Sequence, residues 1–100
     1  MVIISPEDVY YMTLSKNKNV LVTADQELTL CFYVPLDYAV PFLAGFGFDK
    51  IHAGHIANMK KIKYYDPVLM LAYFDNNIHA HVSRANKHKV KHLPRKSPTD

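Results

Sequence analysis

The sequence predicts a small single α+β domain with a short antiparallel sheet, one main helix and a basic, disordered C-terminal tail. Three observations carry this prediction. The 100 residues match the size of one domain, two segments have the composition and turn chemistry of hairpins, and one segment between them has a helical stripe of apolar residues. We place the compact domain at residues 1–83 and the flexible tail at residues 84–100.

The first predicted hairpin covers about residues 20–34. Strand-forming residues fill 20–23 and 28–34, and a polar run separates them. The stretch Thr23-Ala24-Asp25-Gln26 also resembles a helix capping box. A helix over residues 24–33 is therefore the alternative, although the β-branched and aromatic content of 28–34 favours a strand.

The second predicted hairpin covers about residues 68–83. Asp75, Asn76 and Asn77 separate its two arms, and these residue types favour tight turns. The first arm is apolar on both faces, which predicts a strand in the centre of a sheet. The second arm alternates apolar residues with His79 and His81, which is typical of a strand with one buried face.

The main helix is predicted at residues 50–63. Asp49 is a suitable N-cap, and lysines fill the last turn, where positive charge is favourable. The apolar stripe consists of Ile51, His55, Met59 and Ile62. Shorter helices are predicted at 6–15 and 36–44, and in the first of these the strand-forming residues make a strand the alternative.

Positive charge is concentrated at the end of the sequence. Residues 1–48 carry five acidic side chains and two lysines, whereas residues 84–100 carry six lysines and arginines and one aspartate. Such a basic segment favours an acidic polymer, so we predict phosphate contacts with nucleic acid, DNA or RNA. The residues predicted to make them are Arg84, Lys87, Lys89, Lys91, Arg95 and Lys96.

A second basic patch follows the predicted main helix. Lys60, Lys61 and Lys63 precede two adjacent aromatic residues, Tyr64 and Tyr65. Lysines bind phosphate and aromatic rings stack on bases, so this patch is predicted to extend the nucleic-acid surface. A winged helix-turn-helix, with residues 50–63 as recognition helix and 68–83 as wing, is one arrangement that would serve this function.

The sequence lacks the signatures of an enzyme. Cys31 is the only cysteine, which excludes an intrachain disulfide, and its apolar neighbours predict a buried, unreactive thiol. We find no phosphate-binding loop and no activated serine, so we predict a non-enzymatic regulatory or accessory protein without a cofactor. No stretch has the length of a signal peptide or a membrane span, and we expect a cytoplasmic or otherwise intracellular protein without a membrane partner.

Two alternatives compete with nucleic-acid binding. The apolar residues of 32–48 favour a protein-docking or self-association surface, with Phe42, Phe46 and Phe48 as its interface residues. Such a chain would be a small modulator of a host protein, of the kind that viruses and mobile elements encode. The other alternative is a metal site with the four ligands His52, His55, His79 and His81, which form pairs on two predicted elements.

Overall fold

The computed structural model describes residues 5–31 and 33–95. Within these residues the chain forms eight strands, one α-helix and several short 3₁₀ segments. The strands are β1 (Val9–Ser15), β2 (Lys18–Thr23), β3 (Glu27–Thr29), β4 (Phe48–His52), β5 (His55–Asn58), β6 (Tyr64–Asp66), β7 (Leu71–Tyr73) and β8 (His79–His81), and the helix is α1 (Leu36–Leu43). The 3₁₀ segments are Pro6–Asp8, Ala44–Phe46, Met59–Lys61, Asp75–Asn77 and Arg84–Lys89.

The strands form two antiparallel sheets. One has five strands in the order β3-β2-β1-β5-β4, and the other has three in the order β6-β7-β8. One cluster of buried side chains joins the five-stranded sheet to α1, and it contains Val9, Met12, Leu36, Ala39, Phe48 and Ile56. A second cluster joins the same sheet to the three-stranded sheet and to Val90, and it includes Tyr10, Ile51, Ala57, Phe74 and Val82. The five-stranded sheet is therefore covered on both faces.

Two adjacent residues of β4 attach a different layer to each face of this sheet. The Lys50 ammonium donates to Asp37 of α1 at 2.9 Å. The Lys89 ammonium donates to Asp49 at 3.1 Å and to the Lys50 carbonyl oxygen at 2.8 Å. Because successive side chains of a strand point to opposite faces, Asp49 and Lys50 can hold the 3₁₀ segment Arg84–Lys89 and α1 on opposite sides.

The predicted fold class is confirmed, with antiparallel sheets and one α-helix in a small domain. The helix expected at 36–44 corresponds to α1, and β2 and β3 form the first hairpin, so the helical alternative over 24–33 is wrong. In the second hairpin β7 and β8 pair over Asp75–Asn77, and β7 is the central strand of its sheet. This hairpin is shorter than expected, because residues 68–70 belong to a turn.

The main helix predicted at residues 50–63 is wrong, and the winged helix-turn-helix that used it is wrong with it. That stretch contains the end of β4, a turn at Ala53 and Gly54, β5 and the 3₁₀ segment Met59–Lys61. Because the sheet is covered on both faces, Ile51 and Ile56 are buried on opposite sides and no simple alternation remains. Burial on both faces therefore produced a spacing that resembles a helical stripe.

The helix predicted at residues 6–15 is also wrong beyond its first turn. Ser5 does cap the start, since its hydroxyl oxygen accepts from the Glu7 amide at 3.3 Å, but only the 3₁₀ segment Pro6–Asp8 follows. The chain then continues as β1, the strand that the β-branched and aromatic residues favoured. A β-bulge between Val9 and Tyr11 shifts the register, so that Val9 and Met12 both pack toward α1.

The predicted boundary between domain and tail at Ser83 is too early. The Ser83 amide donates to the Ile51 carbonyl at 2.8 Å, and Val90 is fully buried at 0% exposure. Further along, the Tyr65 amide donates to the Pro94 carbonyl at 3.0 Å. Residues 84–95 are thus packed against the sheets, because a basic segment with one buried valine can still contribute to a core. Residues 96–100 lie outside the described residues.

None of the helices in the two described ranges has the length and apolar character needed to cross a membrane.

Asn19 links β2 to the segment that leads into α1, and its removal is expected to destabilise the domain. Its side chain is fully buried; its Oδ1 accepts from the Val34 amide at 2.6 Å and its Nδ2 donates to the Val34 carbonyl at 2.8 Å. Asn19→Ala leaves both groups of Val34 without these partners, so we expect a loss of about 2 kcal/mol in unfolding free energy. Urea unfolding followed by circular dichroism measures it. The exposed neighbour Lys18→Ala is the control and should change stability by less than about 0.5 kcal/mol; equal effects would contradict this role of Asn19.

Candidate nucleic-acid interface

A groove lined by three cations lies between the turn at residues 67–70 and the C-terminal segment. Its lining residues are Tyr65, Pro67, Met70, Arg84, Lys87 and Lys91. Arg84 and Lys87 belong to the 3₁₀ segment Arg84–Lys89, and Lys91 follows it directly. Among the residues that the structure describes, no acidic one lines the groove. We call it the cationic groove.

Both walls of the cationic groove are fixed by contacts with the rest of the domain. In the turn, the Asp66 carboxylate accepts from the amides of Val68 and Leu69 at 2.8 and 3.1 Å. The Met70 carbonyl accepts from the Val82 amide at 2.9 Å. The opposite wall is held by Val90 in the core and by the Lys89 contacts with β4. The lining cations are therefore carried on an ordered frame.

The groove cations are available to an anionic partner. Arg84, Lys87 and Lys91 are exposed, and neither of the two ion pairs found in residues 5–31 and 33–95 includes them. Unpaired cations in a concave surface raise the local positive potential and attract phosphate groups. The structure thus brings together three of the six basic residues that were predicted for the tail.

The other predicted tail cations do not line this groove. Lys89 is half-buried and paired with Asp49, so its charge stabilises the fold. Arg95 is exposed, and its backbone forms an isolated parallel β-bridge with Tyr65. Lys96 lies outside the described residues.

The predicted lysine–tyrosine patch is divided by the fold. Lys60 and Lys61 line a separate hollow together with Glu7 and Asn58, and the Glu7 carboxylate reduces the positive potential there. Lys63 and Tyr64 are exposed. Tyr65 is buried, and burial, with a smaller contribution from Asp66, raises the pKa of its hydroxyl. Tyr65 lines the cationic groove, but at 5% exposure it offers little ring surface to a stacked base.

Comparison with known proteins assigns the family. The model of the LytTr DNA-binding domain matches residues 1–94 of this chain. The chain belongs to the LytTR family. A solved structure with a similar fold is the LytTr DNA-binding domain of a Bacillus cereus protein described as a response regulator. The two share 22% sequence identity with a TM-score of 0.72, over 87% of this chain and 81% of that one. No curated protein matches the sequence.

The histidines of this LytTR domain come together only in part. The rings of His52 and His55 have centroids 5.0 Å apart, and His81 lies 6.5 Å from His52. His79 packs instead against Tyr73, at 5.4 Å. Within the described residues no group of three or more potential ligands has an arrangement that could hold a metal ion. The four-histidine site is therefore not assembled in this structure.

His55 is expected to make the stability of the domain depend on pH. Its Nδ1 is buried without a hydrogen-bond partner in the described residues. Burial, reinforced by charge on His52 and His81 and opposed by a backbone hydrogen bond with Gly54, lowers its pKa from 6.5 to about 4. Between these two pH values the unfolded chain therefore binds more protons than the folded domain. The contribution of neutral His55 to the free energy of unfolding is fully present above pH 6.5 and is lost as the pH drops toward 4.

We expect the wild-type domain to lose about 1 kcal/mol of unfolding free energy through His55 between pH 7 and pH 5, after allowing for solvent screening. His55→Gln should remove this component, whereas His79→Gln, at an exposed position, should retain it. Denaturant unfolding of the three proteins at both pH values measures the difference. The same pH dependence in all three would show that His55 is not responsible.

The three phenylalanines predicted as a protein interface have different environments. Phe48 is buried in the cluster between α1 and the five-stranded sheet, so it cannot contact a partner. Phe42 and Phe46 are exposed, while Phe32, at the start of the predicted surface, is outside the described residues. Cys31 is exposed as well, against the expectation of a buried thiol. A docking role for Phe42 and Phe46 stays a prediction.

The turn at residues 67–70 was missed as part of the site. Residues 68–70 are apolar, and this predicts a strand where the structure has a turn. The signal that could have identified the turn is Asp66-Pro67, since Asp caps the amides that follow it and Pro favours the second position of a turn.

Proposed function

We propose that this LytTR domain binds duplex DNA mainly through phosphate contacts made by the cationic groove, and that it does so as a non-enzymatic regulatory module. The observation that carries the proposal is the convergence of Arg84, Lys87 and Lys91 on one groove, whose described lining residues include no acidic side chain. The membership of a family described by its DNA-binding domain supports DNA as the polymer.

The chemistry of the three side chains suits phosphate. A guanidinium can donate two parallel hydrogen bonds to phosphate oxygens, whereas an ammonium acts as a compact positive charge. Binding of each cation to a phosphate releases condensed counterions, which makes the affinity depend strongly on salt. Such contacts set the position of the protein on the duplex and carry no sequence information by themselves.

The fold adds rigidity to these contacts. Because Lys89 and Val90 fix the segment between Lys87 and Lys91, the groove cations have a nearly set spacing before DNA arrives. A partner that meets preset charges loses less conformational freedom than one that must order a flexible tail. We therefore propose a docked segment as the phosphate-binding element, in place of the flexible basic arm that the sequence suggested.

The experiment is a titration of the full chain against labelled duplex DNA of mixed sequence at several salt concentrations. The proposal predicts that the logarithm of the binding constant falls linearly with the logarithm of the salt concentration, with a slope of about −3 or steeper. Heparin, which is also an acidic polymer, serves as competitor. Binding that does not change with salt, or the absence of binding at low salt, would count against the proposal.

A further inference from the structure

Two large apolar side chains stand exposed at the rim of the cationic groove. Val68 is 72% exposed and Leu69 is 58% exposed. They lie between Pro67 and Met70, which both line the groove. Isolated exposed apolar residues are common on protein surfaces, but here two adjacent ones occupy the tip of a turn beside three unpaired cations. We call these two residues the apolar tip.

The apolar tip has a rigid support. Asp66 accepts hydrogen bonds from the amides of both tip residues, so these backbone groups need no solvent. Met70 ends the turn with a positive φ of 57°, and its carbonyl is bonded to the Val82 amide. A side chain can be pressed against a partner only if its backbone resists displacement. The Val68 and Leu69 amides and the Met70 carbonyl thus have partners within the domain, and the Val68 and Leu69 side chains are left on the outside.

The neighbouring charge indicates which partner meets the tip. A surface that combines fixed cations with an exposed apolar wedge is typical of proteins that bend DNA, where the cations hold phosphates and the apolar group enters between base pairs. An apolar protein surface would not account for the cations on the opposite wall. On this basis, and resting on the proposed function, we infer that Val68 and Leu69 act as a wedge that partly unstacks a base step and bends the duplex bound in the cationic groove.

The wedge implies a preference for deformable DNA. Pyrimidine–purine steps such as TA unstack easily, while A-tracts are stiff. The tip would therefore favour a duplex with a TA step opposite the groove over an A-tract of the same length, although valine and leucine offer no hydrogen bonds to bases. The selectivity would come from the energy needed to deform the DNA and not from recognition of base edges.

The test compares wild type with the double variant Val68→Ser/Leu69→Ser. The matched control is Tyr38→Ser/Phe42→Ser, which removes from α1 two large side chains that are 69% and 79% exposed. The probe is a duplex of about 30 base pairs, roughly three helical turns, with 2-aminopurine at a central TA step and a dye at each end. Fluorescence of 2-aminopurine reports unstacking, energy transfer between the dyes reports bending, and titration gives the affinity and its salt slope.

We expect wild type and the α1 control to increase the 2-aminopurine signal and to bring the dyes closer. The tip variant should do neither and should bind about tenfold more weakly, with an unchanged salt slope because all groove cations remain. If the tip variant still unstacks and bends the duplex, or if wild type binds with a steep salt slope but leaves the duplex straight, the wedge is overturned while phosphate binding stands. Failure of wild type to bind DNA at all would overturn both.

Discussion

Replacement of Arg84, Lys87 and Lys91 by glutamine is expected to weaken binding to duplex DNA about 100-fold at low salt. Glutamine keeps most of the aliphatic stem and removes the charge, so the groove retains its shape and loses its positive potential. All three residues are exposed and make none of the ion pairs in the described residues, which means that the substitution should leave folding intact. Fluorescence anisotropy with a labelled duplex measures the affinity.

The salt dependence of the same variant gives a second, independent number. Each lost phosphate contact lowers the slope by about 0.9, so the triple variant should lose about 2–3 from the wild-type slope. A variant that binds weakly with an unchanged slope would have lost something other than phosphate contacts. Such a result would contradict the assignment of these cations.

Lys60 and Lys61 provide the matched control. Like the groove residues they are cations of the same domain, but the hollow that they line is also lined by the acidic residue Glu7. Lys60→Gln/Lys61→Gln should change the affinity by about twofold or less, because a neighbouring carboxylate already offsets part of their charge. If this pair proved as damaging as the groove triple, the predicted lysine–tyrosine patch would be the interface instead.

Val90→Asp is expected to abolish most of the stability of the domain. Val90 is fully buried in the cluster that joins the two sheets. A carboxylate in such a site either remains charged without a partner or takes up a proton at a strongly raised pKa, with a penalty of about 4–7 kcal/mol. A domain of this size is stable by about 5–15 kcal/mol, so little would remain. Urea unfolding and the near-ultraviolet circular dichroism of the aromatic residues report the loss.

The same substitution at an exposed valine separates burial from charge. Val68→Asp adds an identical carboxylate at the 72% exposed tip and should change unfolding free energy by less than about 0.5 kcal/mol. Equal stability of the two variants would mean that residues 84–95 form a free tail. The packing of Val90 also means that a chain ending at Ser83 loses part of its core along with the basic residues. Charge substitutions therefore test DNA contact more cleanly than truncation.

Sequence patterns were informative where one local signal was dominant. The loop Asp75-Asn76-Asn77 contains two residues with positive φ, and asparagine tolerates that conformation, so the second hairpin could be placed. The helix prediction for residues 50–63 was wrong because the strands there are buried on both faces and are followed by a 3₁₀ segment. Their apolar residues are spaced by contacts with two different layers, and that spacing cannot be distinguished from a helical stripe without knowledge of those layers.

For the candidate site, the sequence identified the basic residues but not their arrangement in space. The concentration of cations after residue 83 is a property of the sequence, and it pointed to an acidic polymer. Whether a cation faces solvent or a carboxylate depends on contacts distant in sequence, as Lys89 and Asp49 show, which are 40 positions apart. The same limit applies to Tyr65, which was expected to stack on bases and is held in the core. Tertiary packing therefore determines that only three of the predicted phosphate-binding cations in the described residues line the cationic groove.

The position of bound DNA on the domain can be mapped directly by amide chemical shifts. The ¹⁵N-labelled full chain is titrated with a duplex of mixed sequence, and shift changes are followed for each backbone amide. We expect the largest changes on residues 68–70 and 84–91, the two walls of the cationic groove, with small changes in α1 (Leu36–Leu43). Changes confined to α1, or to the hollow at Lys60 and Lys61, would contradict this expectation.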